Sequence, residues 1–286
     1  MCALAGVSRT GYYRHWQASR PRQLETALRD RIQKLALAHR HYGYRRLTAL
    51  LKREKVPVNH KHVLRITRED NLLCLRKRRF IPATTQSDHR FKIWPNLARR
   101  LTPTAMDQLW VADITYIRLD EEFAYLAVVI DAFSRRVIGW ELADHPRAEL
   151  ALAALGMALA ARAVNPGLIH HSDRGIQYAC TAYIKTLERH GIQPSMSRVG
   201  CPYDNAMAES FMKTLKHEEV DASDYRDQAH ARGAISEFLE NVYNRQRLHS
   251  ALDYKSPAEY EAVFTTAKPG WAAVQQPSLA QQELTP

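Results

Sequence analysis

Cysteine is scarce: the 286 residues contain four, Cys2, Cys74, Cys180 and Cys201. None forms a Cys-x-x-Cys pair or has a neighbouring His at zinc-finger spacing, which argues against structural zinc and a disulfide framework and fits a reducing, cytoplasmic setting. Long apolar runs are lacking too. The most apolar helical stretch, Ala148 to Val164, is broken by Glu149 and Arg162, and the opening MCALAGVSRTGYYRHW has no signal core, so no membrane is expected as a partner. There is no sustained heptad repeat, which leaves a long coiled coil unsupported. Acidic residues are rare in one half of the chain. Residues 1–100 carry 24 Lys+Arg against 6 Asp+Glu, whereas the remaining residues carry 17 against 24. A basic half is joined to an acidic half, and the net charge of +11 favours a polyanionic partner. The overall balance, 45% apolar and 25% charged, is that of an ordinary globular protein, and the length suggests about two domains.

Within the basic half, Leu24, Leu28, Ile32, Leu35 and Ala36 recur at three- and four-residue steps and predict an amphipathic helix over 21–40. Gly43 ends it. Leu47, Leu50 and Leu51 mark a second helix up to Pro57, and Asn59 is a candidate N-cap for a third carrying Val63, Leu64 and Ile66. The third helix displays Lys61, Arg65 and Arg68 and runs into Arg76, Lys77, Arg78 and Arg79, the pattern of a helix-turn-helix unit on phosphates, with Arg45 and Arg46 on the helix before it. A solvated basic helix is the plainer alternative. The unit is taken as 1–79, followed by a basic, proline-containing linker over 80–105.

The composition then changes. Leu109 to Leu119, Phe123 to Asp131 and Arg136 to Leu142 are strand-like, and the order βββαβαβ followed by helices predicts a mixed α/β sheet with flanking helices. After Phe264 the Ala/Gln/Pro-rich tail, 265–286, reads as disordered.

Three carboxylates stand where solvation alone would not put them. Asp113 interrupts the apolar strand WVADITYI, Asp173 follows a strand in HHSDRG, and Glu209 lies on a helix face with Asn205, Lys213 and Lys216, opposite Met207, Ala208, Phe211 and Leu215. Carboxylates held together raise one another's pKa unless cations neutralise them, and oxygen donors without His or Cys favour Mg2+ or Mn2+. Two such ions suit in-line phosphoryl transfer. Taken singly, Asp113 reads equally as a satisfied strand Asp, Asp173 as a turn residue and Glu209 as a solvated position. Of the remaining candidates, His171 either lines the site or packs, and His170 packs; Asp131 turns the chain; Trp110 and Trp140 are core aromatics. Tyr243, Asn244, Arg247 and His249 either contact DNA or cap and pack the last helix.

The strings WVADITYI, DAFSRRVIGW, HHSDRGIQY and YDNAMAESFMKTLKHE, with 59 residues between Asp113 and Asp173 and 35 between Asp173 and Glu209, resemble the DDE catalytic core of retroviral-type integrases. More closely they resemble the second-frame protein of the insertion-sequence-three group of bacterial transposases. YGYRRLTALLKRE, NHKHVLR and YNRQRLHSALDYKSPAEY extend the likeness over roughly residues 5–262. The resemblance implies a ribonuclease-H-like fold with a mixed five-stranded sheet over 106–222, a helical extension over 223–264, and Asp113, Asp173 and Glu209 as the metal-binding catalytic triad. It implies metal-dependent DNA strand cleavage and strand transfer at element ends, Lys216 as a contact to terminal DNA, and a homo-oligomer on paired ends in the bacterial nucleoid. The first-frame product of the same element is a further implied partner. The retroviral amino-terminal His/Cys zinc module has no counterpart here. A DNA-binding regulator that retains binding without chemistry is the alternative from a different class.

Overall fold

Three consecutive apolar runs are realised as an antiparallel meander, the centre of the acidic half. The computed structural model describes residues 6, 8–10, 23–72, 91–198 and 201–266. Arg76 to Arg79, residues 80–90 of the expected linker and the tail beyond 266 lie outside the described residues. The chain divides into two compact units, Met1–Arg78 and Arg79–Pro286.

In the first unit, α1 (Gln23–Ala38), α2 (Tyr44–Arg53) and α3 (His60–Glu69) bury Ile32, Leu35, Leu47, Leu51, Val63 and Ile66 against one another. The Asn59 side chain caps α3, accepting the Lys61 backbone N–H at 2.8 Å and satisfying a donor that the helix start leaves unpaired. Arg29 of α1 pairs with Glu69 and Asp70 at the end of α3, which ties the middle of α1 to the end of α3.

In the second unit, β1 (Leu109–Arg118), β2 (Phe123–Asp131) and β3 (Val137–Ala143) pair antiparallel in sequence order. β4 (Ile169–Ser172) and β5 (Gln193–Met196) add parallel strands on the other side of β1, giving the order β3-β2-β1-β4-β5. A five-stranded mixed sheet of this order, with helices on both faces, is the ribonuclease-H-like arrangement that the motifs imply.

Strand alternation sends the side chains of β1 to two different cores. Leu109, Val111 and Ile117 face α7 (Ala206–Glu218), α8 (Gln228–Glu237) and a following π-helix (Phe238–Gln246). Trp110 and Ala112 face α4 (Ala148–Ala161), α5 (Ile176–Ala179) and α6 (Thr181–Arg189). α5 and α6 are separate helices divided at Cys180. β3 and α4 meet so closely at Gly139 that a Cβ there would lie 2.2 Å from the Ala154 carbonyl oxygen.

The described part of the expected linker, 91–105, packs on the core. The Leu97 N–H donates to Ser195 Oγ at 2.9 Å, Trp94 packs on one face of the sheet, and Ala98 and Leu101 pack on the other.

Candidate active site

Asp113 lies on β1, and Asp173 directly follows the end of the neighbouring strand β4. In the parallel β1–β4 ladder Val111 is opposite His171; Asp113 lies two residues further along β1 and Asp173 directly after the end of β4, near enough for the Asp173 charge to act on the Asp113 carboxyl. β4 ends at Ser172, and beyond it α7 packs along β1 on the face to which Val111 and Ile117 point. The α7 side chains Ala208, Phe211, Met212 and Leu215 are buried there. Glu209, on the first turn of the same helix, is left half-buried at the edge of that packing.

Each acid has its own local support. Asp113 Oδ1 accepts the Ile114 N–H at 2.9 Å, and Asp173 Oδ1 accepts the Gly175 N–H at 2.8 Å, closing the turn after β4. A side chain at Gly175 would sit 3.0 Å from that same Asp173 oxygen. Glu209 Oε2 lies 3.8 Å from Lys213 Nζ, and the Lys216 ammonium rests 3.9 Å from the centre of the Tyr116 ring. Burial, followed by the charges of Asp173 and Glu209, pushes the Asp113 carboxyl up to about 7 against the opposing pull of the Ile114 hydrogen bond and Lys216. The three predicted carboxylates therefore share one electrostatic neighbourhood.

Among the described residues no three His, Cys, Asp or Glu side chains are drawn together tightly enough to cage a metal ion, so the carboxylates form an open set. Their chemistry nevertheless fits a hard divalent cation: all donors are carboxylate oxygens, and the Asp113 environment is short of positive charge. Two orphaned atoms agree with this. Asn205 is buried, its Nδ2 donates to the Ala112 carbonyl at 3.2 Å, and its Oδ1 has no partner among the described residues. The Tyr178 hydroxyl, buried and coupled electrostatically to Asp113 and Asp173, likewise lacks one. Buried polar atoms without partners are uncommon and point to water or ligand.

His171 does not face an open site. It is fully buried, with Nδ1 2.8 Å from Ser195 Oγ and Nε2 3.1 Å from Ser197 Oγ, so both ring nitrogens hold β4 to β5. His170 packs on the other face against Tyr183, whose hydroxyl is 3.0 Å from Nε2; burial depresses its pKa to about 3 and keeps it neutral. Asp131 holds a turn, accepting the N–H groups of Asp107, Phe133 and Ser134. Trp110 is a core aromatic, and Trp140 is buried with its indole N–H donated to Glu240.

The basic residues of the first unit divide into two sets. Arg45, Lys61 and Arg68 are exposed, Arg45 donating to the Tyr44 hydroxyl at 3.1 Å, while Arg46 lies over the Tyr42 ring. Arg65 differs: its guanidinium is paired with Glu25 of α1 at 2.7 Å and with Glu69 at 2.8 Å, so it braces α3 against α1. In the second unit Arg247 and Asn244 are buried, which settles their reading in favour of packing. Sequence reasoning missed Tyr178 and the partners of His171, since nothing in the spacing of those residues signals a shared location.

Models described as "Integrase core domain" match residues 103–202 and 190–257, and one described as "HTH-like domain" matches 23–80. The chain is 39% identical over 269 residues to the insertion element IS600 uncharacterized 31 kDa protein of Shigella sonnei, covering 92% of this chain and 98% of that one. It is 36% identical over 267 residues to transposase InsF for insertion sequence IS3A of Escherichia coli K12, covering 91% and 92%. Among solved structures, the HTLV-2 integrase catalytic core domain in complex with magnesium matches at 15% identity with a TM-score of 0.43, over 55% of this chain and 98% of that one. With near-complete coverage of relatives well above 30% identity, and both domain models in order, the chain belongs to the IS3 family of insertion-sequence transposases.

Proposed function

We propose that this transposase performs DNA strand cleavage and strand transfer with Asp113, Asp173 and Glu209 as its catalytic carboxylates. The observation that supports this reading is that the charges of Asp173, just after β4, and of Glu209 both bear on the Asp113 carboxyl of the neighbouring strand β1. All three would hold divalent cations, Mg2+ or Mn2+. Bound as a pair, such ions supply Lewis-acid activation of the attacking oxygen and charge neutralisation at the leaving oxygen.

The chain's own residues do the rest. Lys213 and Lys216, one and two turns beyond Glu209, hold the phosphodiester against the carboxylate edge. Asn205 Oδ1 and the Tyr178 hydroxyl, lacking protein partners among the described residues, position water there. Arg45, Arg46, Lys61 and Arg68 grip the element's terminal DNA, with residues 1–79 as binding unit, 106–222 as catalytic core and 223–264 as its brace. Each cleavage releases a 3′-hydroxyl that attacks a second phosphodiester, so one ester is exchanged for another and no nucleotide is consumed. The enzyme acts at the nucleoid as a homo-oligomer on paired ends, with the first-frame product as a further partner. Among the described residues no helix is long and apolar enough to cross a membrane.

The test incubates wild type and Asp113→Asn with duplex DNA carrying the terminal repeats and Mg2+, with and without the first-frame product. Wild type nicks and joins, and the variant binds equally but does neither. Equal activity of the two overturns the assignment, and binding without chemistry in both favours a DNA-binding regulator.

A further inference from the structure

The YNRQRLHSALDY segment lies on the back of the Glu209 helix. Glu218 is nine residues beyond Glu209, about 180° around α7 at 100° per residue, so the two carboxylates occupy opposite faces. Glu218 is largely covered and bound in fork geometry by the buried Arg247: Nε to Oε2 at 2.9 Å and Nη2 to Oε1 at 2.8 Å. Arg247 Nη2 also reaches Thr214 Oγ1 at 3.4 Å, and its guanidinium lies 5.8 Å from the centre of the Tyr243 ring. That ring meets Phe211 of α7 edge-on at 4.9 Å and His249 at 5.1 Å. Phe211, Thr214 and Glu218 thus form a stripe on α7 gripped by one short segment. The cation also sits near the helix C-terminus, where the backbone dipole favours it.

Three residues before Arg247 the same segment is fixed to the sheet. Asn244 Oδ1 accepts the Val137 N–H at 3.0 Å and its Nδ2 donates to the Val137 carbonyl at 2.9 Å, taking the place of a neighbouring strand on edge strand β3. The π-helix makes both anchors possible. Its wider turn leaves the consecutive residues Tyr243 and Asn244 both buried, one toward α7 and the other toward β3.

We infer that the Asn244–Arg247 bridge is a positioning device: it ties the sheet that bears Asp113 and Asp173 to the helix that bears Glu209 and so sets the spacing of the three carboxylates. This rests on the catalytic reading of those residues. A buried ion pair contributes little net stability compared with an apolar replacement, but removing one partner strands the other charge, so the pair specifies one docking of α7.

The experiment uses the full chain. Asn244→Ala, Arg247→Gln, Arg247→Lys and Glu218→Gln are compared by backbone hydrogen exchange without DNA. They are then compared by steady-state cleavage of a duplex carrying the element's terminal repeat. Arg247→Gln, Glu218→Gln and Asn244→Ala are expected to speed amide exchange in 206–218 at least tenfold, with exchange in 60–69 unchanged. They are expected to lower kcat at least tenfold with KM moved less than twofold. Arg247→Lys keeps the charge and recovers most of both. Unchanged exchange in 206–218 overturns the bridge, as does a rise in KM with a shallower salt dependence in Arg247→Gln alone, the signature of a lost phosphate contact. If wild type does not cleave, the catalytic reading falls, and the exchange measurement still decides whether the bridge holds α7.

Discussion

Val111 and His171 are partners across the parallel strands β1 and β4, and that pairing brings Asp113, two residues further along β1, near Asp173, which directly follows β4. The 59 intervening residues form a hairpin, a third strand and a helix before the chain returns to the neighbouring position. Two acids crowded in this way are at odds with folding in the absence of cations, and functional sites often carry such local cost.

Removing one charge should relieve that cost. Asp113→Asn is expected to stabilise the metal-free protein at pH 8 by about 1 kcal/mol, measured by urea denaturation in EDTA. Adding Mg2+ should raise the midpoint of wild type and leave the variant little changed. A destabilised variant would count against electrostatic crowding at this position.

On the proposed reading Arg45, Lys61 and Arg68 grip DNA while Arg65 braces α3 against α1. Neutralising Arg45, Lys61 or Arg68 should each lower the slope of log Kobs against log salt by about 0.9. Arg65→Ala should leave that slope unchanged and destabilise the unit by up to about 1 kcal/mol, because its half-exposed guanidinium is already paired with Glu25 and Glu69. Anisotropy titrations from 50 to 300 mM salt measure the first quantity and thermal melts the second.

Glu261 of α9 (Pro257–Thr266) makes stability depend on pH. Burial raises its carboxyl, but hydrogen bonds from Arg136 at 2.7 Å and from Arg162 outweigh burial and hold it below the usual carboxylate range. A depressed acid binds fewer protons folded than unfolded, so its contribution is fully present above the unfolded value of about 4.5 and is lost as the pH falls through the folded value. Glu261→Gln should cost roughly 3 kcal/mol at pH 7, with the gap to wild type closing below pH 4. A gap independent of pH would show that the ion pairs are not its source.

Gly139→Ala is expected to destabilise by roughly 1–3 kcal/mol, since the new methyl meets the backbone of α4 at Ala154 and Ala158 and not the movable end of a side chain. Chemical denaturation reads this directly. Gly156, with open space around it, should tolerate the same change within about 0.5 kcal/mol.

Much of the molecule is legible in its local patterns. Near-continuous apolar runs mark the meander, whose strands are buried on both faces, and period-3.6 hydrophobicity marks the three helices of the basic unit, where one buried face imposes its spacing on neighbouring residues. Asn59 is recognisable as a cap because capping acts within three residues. Asp113, Asp173 and Glu209 were identifiable as acids out of place and as parts of recurring motifs. The roles of Arg65, His171 and Arg247 were not. A guanidinium facing Glu25 from 40 residues away, an imidazole held between Ser195 and Ser197, and an arginine buried against Glu218 look, in sequence, like any polar residue on a helix or strand.

The sequence by itself therefore determined which segments become helix or strand and which residue types are available for chemistry, since propensity, periodicity and capping act over a few residues. Only the tertiary structure decided which charges meet. Whether a cation faces phosphate or a carboxylate of its own chain, and whether two acids 60 positions apart come near each other, depends on strand register and helix docking, which arise from packing over the whole chain.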